Sequence, residues 1–255
     1  MIAYLDYLFF RARHWLKRVR GGDKEIPYEI EIRRLYSERV GLKKFERGDL
    51  YNVMSYKTNG KFDYELYKTI QILGNKGKLD RVFAVQENIT YLVHEIEKIV
   101  PEIRFVLCHG TRNAAEQNFF KSALARPATI LGTEISDNAS EFPMTIEWDF
   151  HEVKPEWIGA VDVIYSNSFD HSYDPEKLFT AWLSCLSVNG VMALEWSLAH
   201  TENPTILDPF NVGLDGLTKI LEKFCADGKF KLLPPLTALP VRRLEQTFVL
   251  VQRVR

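Results

Sequence analysis

The chain has 255 residues, 46% of them hydrophobic and 26% charged, with a formal net charge of −1. That length buries a core large enough for one substantial domain or for a domain with an extension. The near-zero charge argues against a whole-surface field for nucleic acid, and no stretch nears the roughly 18 apolar residues of a transmembrane helix.

Cys108, Cys185 and Cys225 are sparse, odd in number and set among apolar residues. They read as buried free thiols in a reducing, cytoplasmic compartment. No Cys/His spacing resembles a zinc site, so no metal is expected.

Residues 1–22 form a basic amphipathic N-terminal segment. Ile2, Tyr4, Leu5, Leu8, Phe9, Phe10, Trp15, Leu16 and Val19 are interleaved with Arg11, Arg13, Lys17, Arg18 and Arg20. The charge follows the apolar block, the reverse of a signal peptide. Such a helix either docks on the body of the protein or a second subunit, which makes a homo-oligomer one expectation, or lies on an anionic membrane surface. Residues 23–84 read as an accessory or cap segment. Phe62, Tyr64, Leu66, Tyr67, Ile70 and Leu73 predict a short amphipathic helix there, and Gly74–Gly77 a flexible break.

From residue 85 to 255 the pattern sharpens. Ile89, Leu92, Val93, Ile96, Ile99 and Val100 recur at helical spacing until Pro101. Strands are predicted over 105–108, 128–133, 145–149, 161–166 and 191–195, with helices over 113–124 and 175–186. Strands alternating with helices in this way predict an α/β fold, a parallel sheet with helices on both faces. After a helix over 217–226, strands at 230–233 and 247–251 have no helix between them and should form a terminal antiparallel strand pair. Ligands of such a sheet bind at the carboxyl ends of the strands.

Four loops there carry polar residues. The first strand leads into Cys108-His109-Gly110-Thr111-Arg112-Asn113-Ala114, with one glycine for a tight turn. The second ends at Glu134, whose carboxylate can accept two hydrogen bonds. The third is followed by Trp148-Asp149-Phe150. The fourth, led by Asp162, gives Ser166-Asn167-Ser168-Phe169-Asp170-His171, and Asp174-Pro175 then opens a helix that ends before Gly190.

This layout resembles the Rossmann-like class of S-adenosylmethionine-dependent methyltransferases. The glycine motif is divergent. Only the first glycine of the family's acidic-x-Gly-x-Gly-x-Gly turn is present, Cys108 stands where the acid is usual, and Arg112 and Ala114 replace the later glycines. The resemblance implies a cofactor site at His109, Gly110, Thr111, Arg112, Asn113, Glu134, Asp149, Phe150, Ser166 and Asn167. Glu134 would bind the ribose, Asp149 the adenine amino group with Phe150 or Trp148 flanking the ring, and Ser166 and Asn167 the methionine side. Arg112 would pair with the methionine carboxylate or with an acidic acceptor.

Asp170 and His171 would face the methyl acceptor. There His171 has two candidate roles, proton acceptor and loop-fixing or helix-capping residue. Glu195, Trp196 and His200 would sit at the acceptor pocket or its rim. The implied activity is methyl transfer from S-adenosylmethionine to an oxygen or nitrogen of a small-molecule or glycan-like acceptor. The alternative is a non-catalytic methyltransferase-like binding or scaffold protein, which the eroded glycine motif favours. A nicotinamide-dependent oxidoreductase lacks support, because Gly-x-Gly-x-x-Gly is absent.

Overall fold

A computed structural model describes residues 27–42, 44–201, 203–241 and 245–255. The basic amphipathic segment 1–22 lies outside the described residues. No described helix is long and apolar enough to cross a membrane.

The main sheet contains β5 (Phe105–His109), β6 (Thr129–Glu134), β7 (Thr145–Glu147), β8 (Val161–Ser166), β9 (Leu186–Ser197), β11 (Phe230–Leu232), β12 (Leu236–Thr237) and β13 (Gln246–Arg253). Its order is β11-β13-β9-β8-β5-β6-β7, with β12 on β13. Strands β5 to β9 pair parallel, whereas β13 runs antiparallel to both β9 and β11. The terminal antiparallel pair expected from the sequence is therefore present. Strand order reverses between β5 and β8, and the crevice at their carboxyl ends is the ligand position of this topology.

The alternation of side chains explains how the sheet holds two layers of helices. Leu107, Ile164, Met192, Leu194, Val249 and Val251 point to one face, where they join Leu178, Phe179 and Trp182 of α5 (Pro175–Cys185) and Leu217, Ile220 and Leu221 of α6 (Leu214–Cys225). Val106, Cys108, Val163, Tyr165, Val191, Ala193, Phe248 and Leu250 point to the other. They meet Ile89, Leu92, Val93 and Ile96 of α3 (Gln86–Glu97) and Phe120 of α4 (Ala115–Ala123). Strands buried on both faces must be apolar throughout, which is why they stand out in the sequence. Cys108 and Cys185 are buried, Cys225 is half-buried, and all three are free thiols whose pKa burial raises.

Asp162 ties the strand starts together. Its Oδ2 accepts from the amides of Arg104 (2.8 Å) and Phe105 (3.0 Å), and its Oδ1 from the Ser187 hydroxyl (2.6 Å). The acidic residue that leads β8 thus serves strands β5, β8 and β9 at the end of the sheet away from the crevice.

Residues 27–76 form a further layer over the crevice. It comprises α1 (Pro27–Arg39), β1 (Phe45–Arg47), β2 (Tyr51–Met54), the short hairpin β3 (Lys57–Thr58) and β4 (Lys61–Phe62), and α2 (Tyr64–Lys76). Strand β2 pairs with β1 and with β10 (Phe210–Val212), both antiparallel, so the chain after β9 completes a three-stranded sheet begun far upstream. A small core of Ile32, Tyr36, Met54, Tyr56, Leu66, Tyr67 and Ile70 holds this layer.

The predicted amphipathic helix is α2, capped by Asp63, whose carboxylate accepts from the Leu66 amide. The expected flexible break at Gly74–Gly77 is instead the last turn of α2 and its cap. Gly74 lets the Leu207 side chain pack closely, since a Cβ there would lie 2.2 Å from Leu207 Cδ2 unless that side chain moved.

Candidate active site

The turn after β5 is built for compactness. Gly110 has φ +73°, and a Cβ there would meet Ser168 Cβ at 2.7 Å, so the first-strand and fourth-strand loops touch only because position 110 has no side chain. Ala114, where a later glycine would stand in the resembling motif, also adopts a positive φ, 61°. The amides of Gly110 and Thr111 both donate to the Thr133 carbonyl, at 2.9 and 3.0 Å. These two donors are thus committed to β6.

Three residues expected at a cofactor lie beneath the loop instead. His109 is fully buried, stacked on Trp182 with centroids 4.5 Å apart, and its Nδ1 bonds Thr133 Oγ1 at 2.9 Å. Burial pushes its pKa down to about 3, so it is neutral. Thr111 accepts from the Gln117 amide at 2.8 Å. Ser166 donates to the His109 carbonyl and accepts from the Ser168 amide, both at 3.0 Å. Each serves the turn itself, and none is among the residues that line the two cavities described next.

The other expected residues line two adjoining cavities. The smaller, about 40 Å³, lies among Gly110, Arg112, Glu134, Ile135, Asp149, Phe150 and Ser168, roofed by Tyr67, Gln71, Asn75 and Lys78 from α2 and the residues after it. The larger, about 760 Å³, is bounded by Arg112, Asn113, Glu116, Asn167, Asp170, His171, Glu195, Ser197, His200, Asp208, Phe210, Asn211 and Gln246. Gly110, Arg112, Ser168, His171 and Lys78 belong to both walls. A slot at the ends of β5, β6 and β7 therefore adjoins, at His171, a chamber at the ends of β8 and β9.

In the slot, Glu134 accepts the Ser136 amide through Oε1 at 3.1 Å. Burial raises its pKa to about 7, against the pull of that amide and of Arg112. Burial would also raise Asp149, but the His151 imidazole (2.8 Å) and amide (2.9 Å) hold its carboxyl below the ordinary value.

At the junction, Arg112 stacks over Phe83, 5.0 Å from the ring centroid, and its Nη1 donates to the Arg81 carbonyl at 3.4 Å. Asn113 donates to the Leu79 carbonyl at 2.9 Å. Buried Glu116 approaches Asn167 Nδ2 at 3.5 Å through Oε1. Arg112 Nε, Glu116 Oε2, Asp149 Oδ2 and Asp170 Oδ1 are buried with no hydrogen-bond partner. Unsatisfied polar atoms of this kind, gathered around one crevice, indicate groups that a ligand would complete.

In the chamber, burial raises the Asp170 pKa and lowers that of His171. One polar atom each from Asp170, His171 and Asp208 lies within 4.8 Å of the others. His200 stacks on Phe169, with centroids 4.8 Å apart. Its Nδ1 lies 2.8 Å from the Ser197 amide nitrogen and 3.0 Å from the Ser197 carbonyl oxygen, and its Nε2 is 3.7 Å from Asp170 Oδ2. Burial takes its pKa to about 4. His200 was visible in the sequence as a candidate for the acceptor pocket or its rim. Gln71, Glu116 and Asp208 gave no signal, because the elements that bring them in are far apart in the chain.

No protein-family model and no curated protein matches the sequence. Solved structures do match, at low identity. The Burkholderia thailandensis 1,6-didemethyltoxoflavin-N1-methyltransferase, bound to 1,6-didemethyltoxoflavin and S-adenosylhomocysteine, aligns with TM-score 0.56 and 8% identity over 83% of this chain and 100% of that one. The plantazolicin methyltransferase BpumL, with a triazolic desmethyl analogue and S-adenosylhomocysteine, gives TM-score 0.56 and 11% identity over 75% and 98%. The fold is that of S-adenosylmethionine-dependent methyltransferases. The N-methyltransferase NodS of Bradyrhizobium japonicum, also with S-adenosylhomocysteine, aligns with TM-score 0.50 and 10% identity over 72% and 99%.

Proposed function

We propose that the protein is an S-adenosylmethionine-dependent methyltransferase acting on an oxygen or nitrogen of a small-molecule acceptor. The observation that carries this is the pair of cavities meeting at Gly110, Arg112 and His171, a slot for one ligand and a chamber for a second. The slot's chemistry fits the cofactor. Glu134 at the end of β6 suits the ribose hydroxyls. Asp149 and Phe150 suit the adenine, while Arg112, with its unpartnered Nε, and Asn167 suit the methionine end. At about 40 Å³ the slot is tighter than an adenosyl group, so binding must widen it. We take residues 23–84 as the cap whose α2 roofs that slot.

When bound, S-adenosylmethionine supplies an electrophilic methyl group and leaves as S-adenosylhomocysteine. The protein's own contribution is to hold the acceptor in line and to remove its proton. We assign that proton to His171 Nε2, and the position of His171 on both cavity walls supports the assignment. Asp170 and Asp208 then face the imidazolium that forms. The solved neighbours hold 1,6-didemethyltoxoflavin in one case and a triazolic desmethyl analogue in the other, beside S-adenosylhomocysteine, which supports an acceptor of that scale.

One observation favours the competing reading, a non-catalytic methyltransferase-like binding protein. The Gly110 and Thr111 amides, which could serve a cofactor, are spent on Thr133. Calorimetric titration with S-adenosylhomocysteine tests the cofactor, and formation of S-adenosylhomocysteine from S-adenosylmethionine across an acceptor panel separates enzyme from scaffold. Binding without turnover on any acceptor would support the scaffold.

A further inference from the structure

The His171 ring is held from outside its own loop. Gln71 of α2 is buried, and its Nε2 donates to the Leu207 carbonyl at 3.0 Å. A carbonyl only accepts, so that bond fixes the amide orientation and turns Oε1 toward His171, whose Nδ1 lies 2.7 Å away. Oε1 also only accepts, so Nδ1 must donate. Nε2 of the neutral ring then carries the lone pair. The loop backbone is pinned as well, because the Tyr67 hydroxyl, one turn earlier on α2, donates to the His171 carbonyl at 2.9 Å.

We infer that Gln71 is a positioning residue that locks His171 in the Nδ1–H tautomer, so that the cap layer, not the catalytic loop, keeps Nε2 able to receive the acceptor's proton. The inference rests on the proposed role of His171, but the tautomer itself is observable without turnover. Orientation of a histidine by a partner on its second nitrogen is a general means of fixing which nitrogen reacts.

The groups facing His171 show why a lock is needed. Asp208 Oδ1, from the connection between β9 and β10, lies 3.5 Å from Nε2, and Asp170 is adjacent on the loop. These carboxylates would draw the ring proton to Nε2 if Nδ1 had no acceptor, and a ring protonated there when neutral cannot act as a base at that atom. Lys78, beyond α2, and Arg112, after β5, oppose a second proton on the ring. Gln71 decides the contest by offering Nδ1 a neutral acceptor that adds no charge.

The test is nitrogen NMR of histidine-labelled full-length protein, with His171 assigned by His171→Gln. Wild type is expected to show His171 protonated on Nδ1 above its pKa. In Gln71→Leu the proton should move to Nε2, and kcat should fall on the order of 10²-fold. Gln71→Glu keeps an acceptor for Nδ1 but adds a negative charge. It should retain the Nδ1–H tautomer, recover most of kcat, and move the acid limb of the pH–rate profile upward. A wild-type His171 protonated on Nε2, or an unchanged tautomer in Gln71→Leu, overturns the inference. Failure of the protein to bind S-adenosylhomocysteine would instead count against the proposed function while leaving the tautomer result standing.

Discussion

At the scale of single residues, Glu134 and His171 carry opposite demands on charge. Glu134 can accept two ribose hydroxyls only as a carboxylate, yet burial raises its pKa from an ordinary 4.5 to about 7. S-adenosylhomocysteine affinity should therefore rise between pH 6 and pH 8, and Glu134→Ala should weaken binding at pH 8 by about 1.5–3 kcal/mol. Equal affinity of the folded variant in calorimetry would remove Glu134 from the site. Linkage gives a second signature. A carboxyl whose folded-state pKa is raised contributes stability below pH 4.5 that is lost as pH climbs through 7. Free Glu134→Gln should thus melt above wild type at pH 8 and no higher at pH 4.

His171 must be neutral to act, and burial favours the neutral ring. His171→Ala should lower turnover by about 10²–10⁴-fold, and wild-type turnover should fall as acid protonates the ring. His171→Gln preserves hydrogen bonding without a base. Full activity in that variant would make the residue an orienting group only. At this scale the sequence was partly informative, since Glu134 at the end of β6, Asp149 after β7 and the Asp170-His171 pair are legible from strand ends. The fates of His109, Thr111 and Ser166 were not, because whether a loop side chain turns into a crevice or under it depends on Trp182, Gln117 and Thr133 from other elements.

Among the elements, the parallel strands were legible because burial on both faces leaves them apolar end to end, and the helices between them because one face is buried. The cap was not. In α1 only Ile32 and Tyr36 are buried, and its exposed face is laced by Arg34 with Glu31 and Glu38, which leaves little periodicity to detect. Strands β1 to β4 span two to four residues each, and β2 finds β10 across most of the chain. Two variants test the element joints. Asp162→Ala strands the Arg104 and Phe105 amides and should cost about 2–4 kcal/mol in denaturant unfolding, with no direct loss of ligand contacts. Gly110→Ala forces a side chain into φ +73° and against Ser168, and should lower both stability, by about 1–3 kcal/mol, and cofactor affinity. A Gly110→Ala protein with wild-type affinity would show that the loop contact does not shape the slot.

For the whole molecule, the main sheet supplies the crevice and the cap closes it, through Tyr67 and Gln71 on α2 and through β2 on β10. The chamber's residues come from segments scattered between Lys78 and Gln246. Local spacing reveals strand ends, but it cannot reveal a wall assembled from such distant segments. The membrane-surface expectation for residues 1–20 has its own check, since full-length protein that ignores anionic liposomes at low salt would end it. The central claim is that the slot takes S-adenosylmethionine. Calorimetric titration of the full-length protein with S-adenosylhomocysteine addresses it most directly. Saturable one-to-one binding, weakened at least tenfold in Glu134→Ala, is the predicted result, and absence of binding to folded wild-type protein would contradict it.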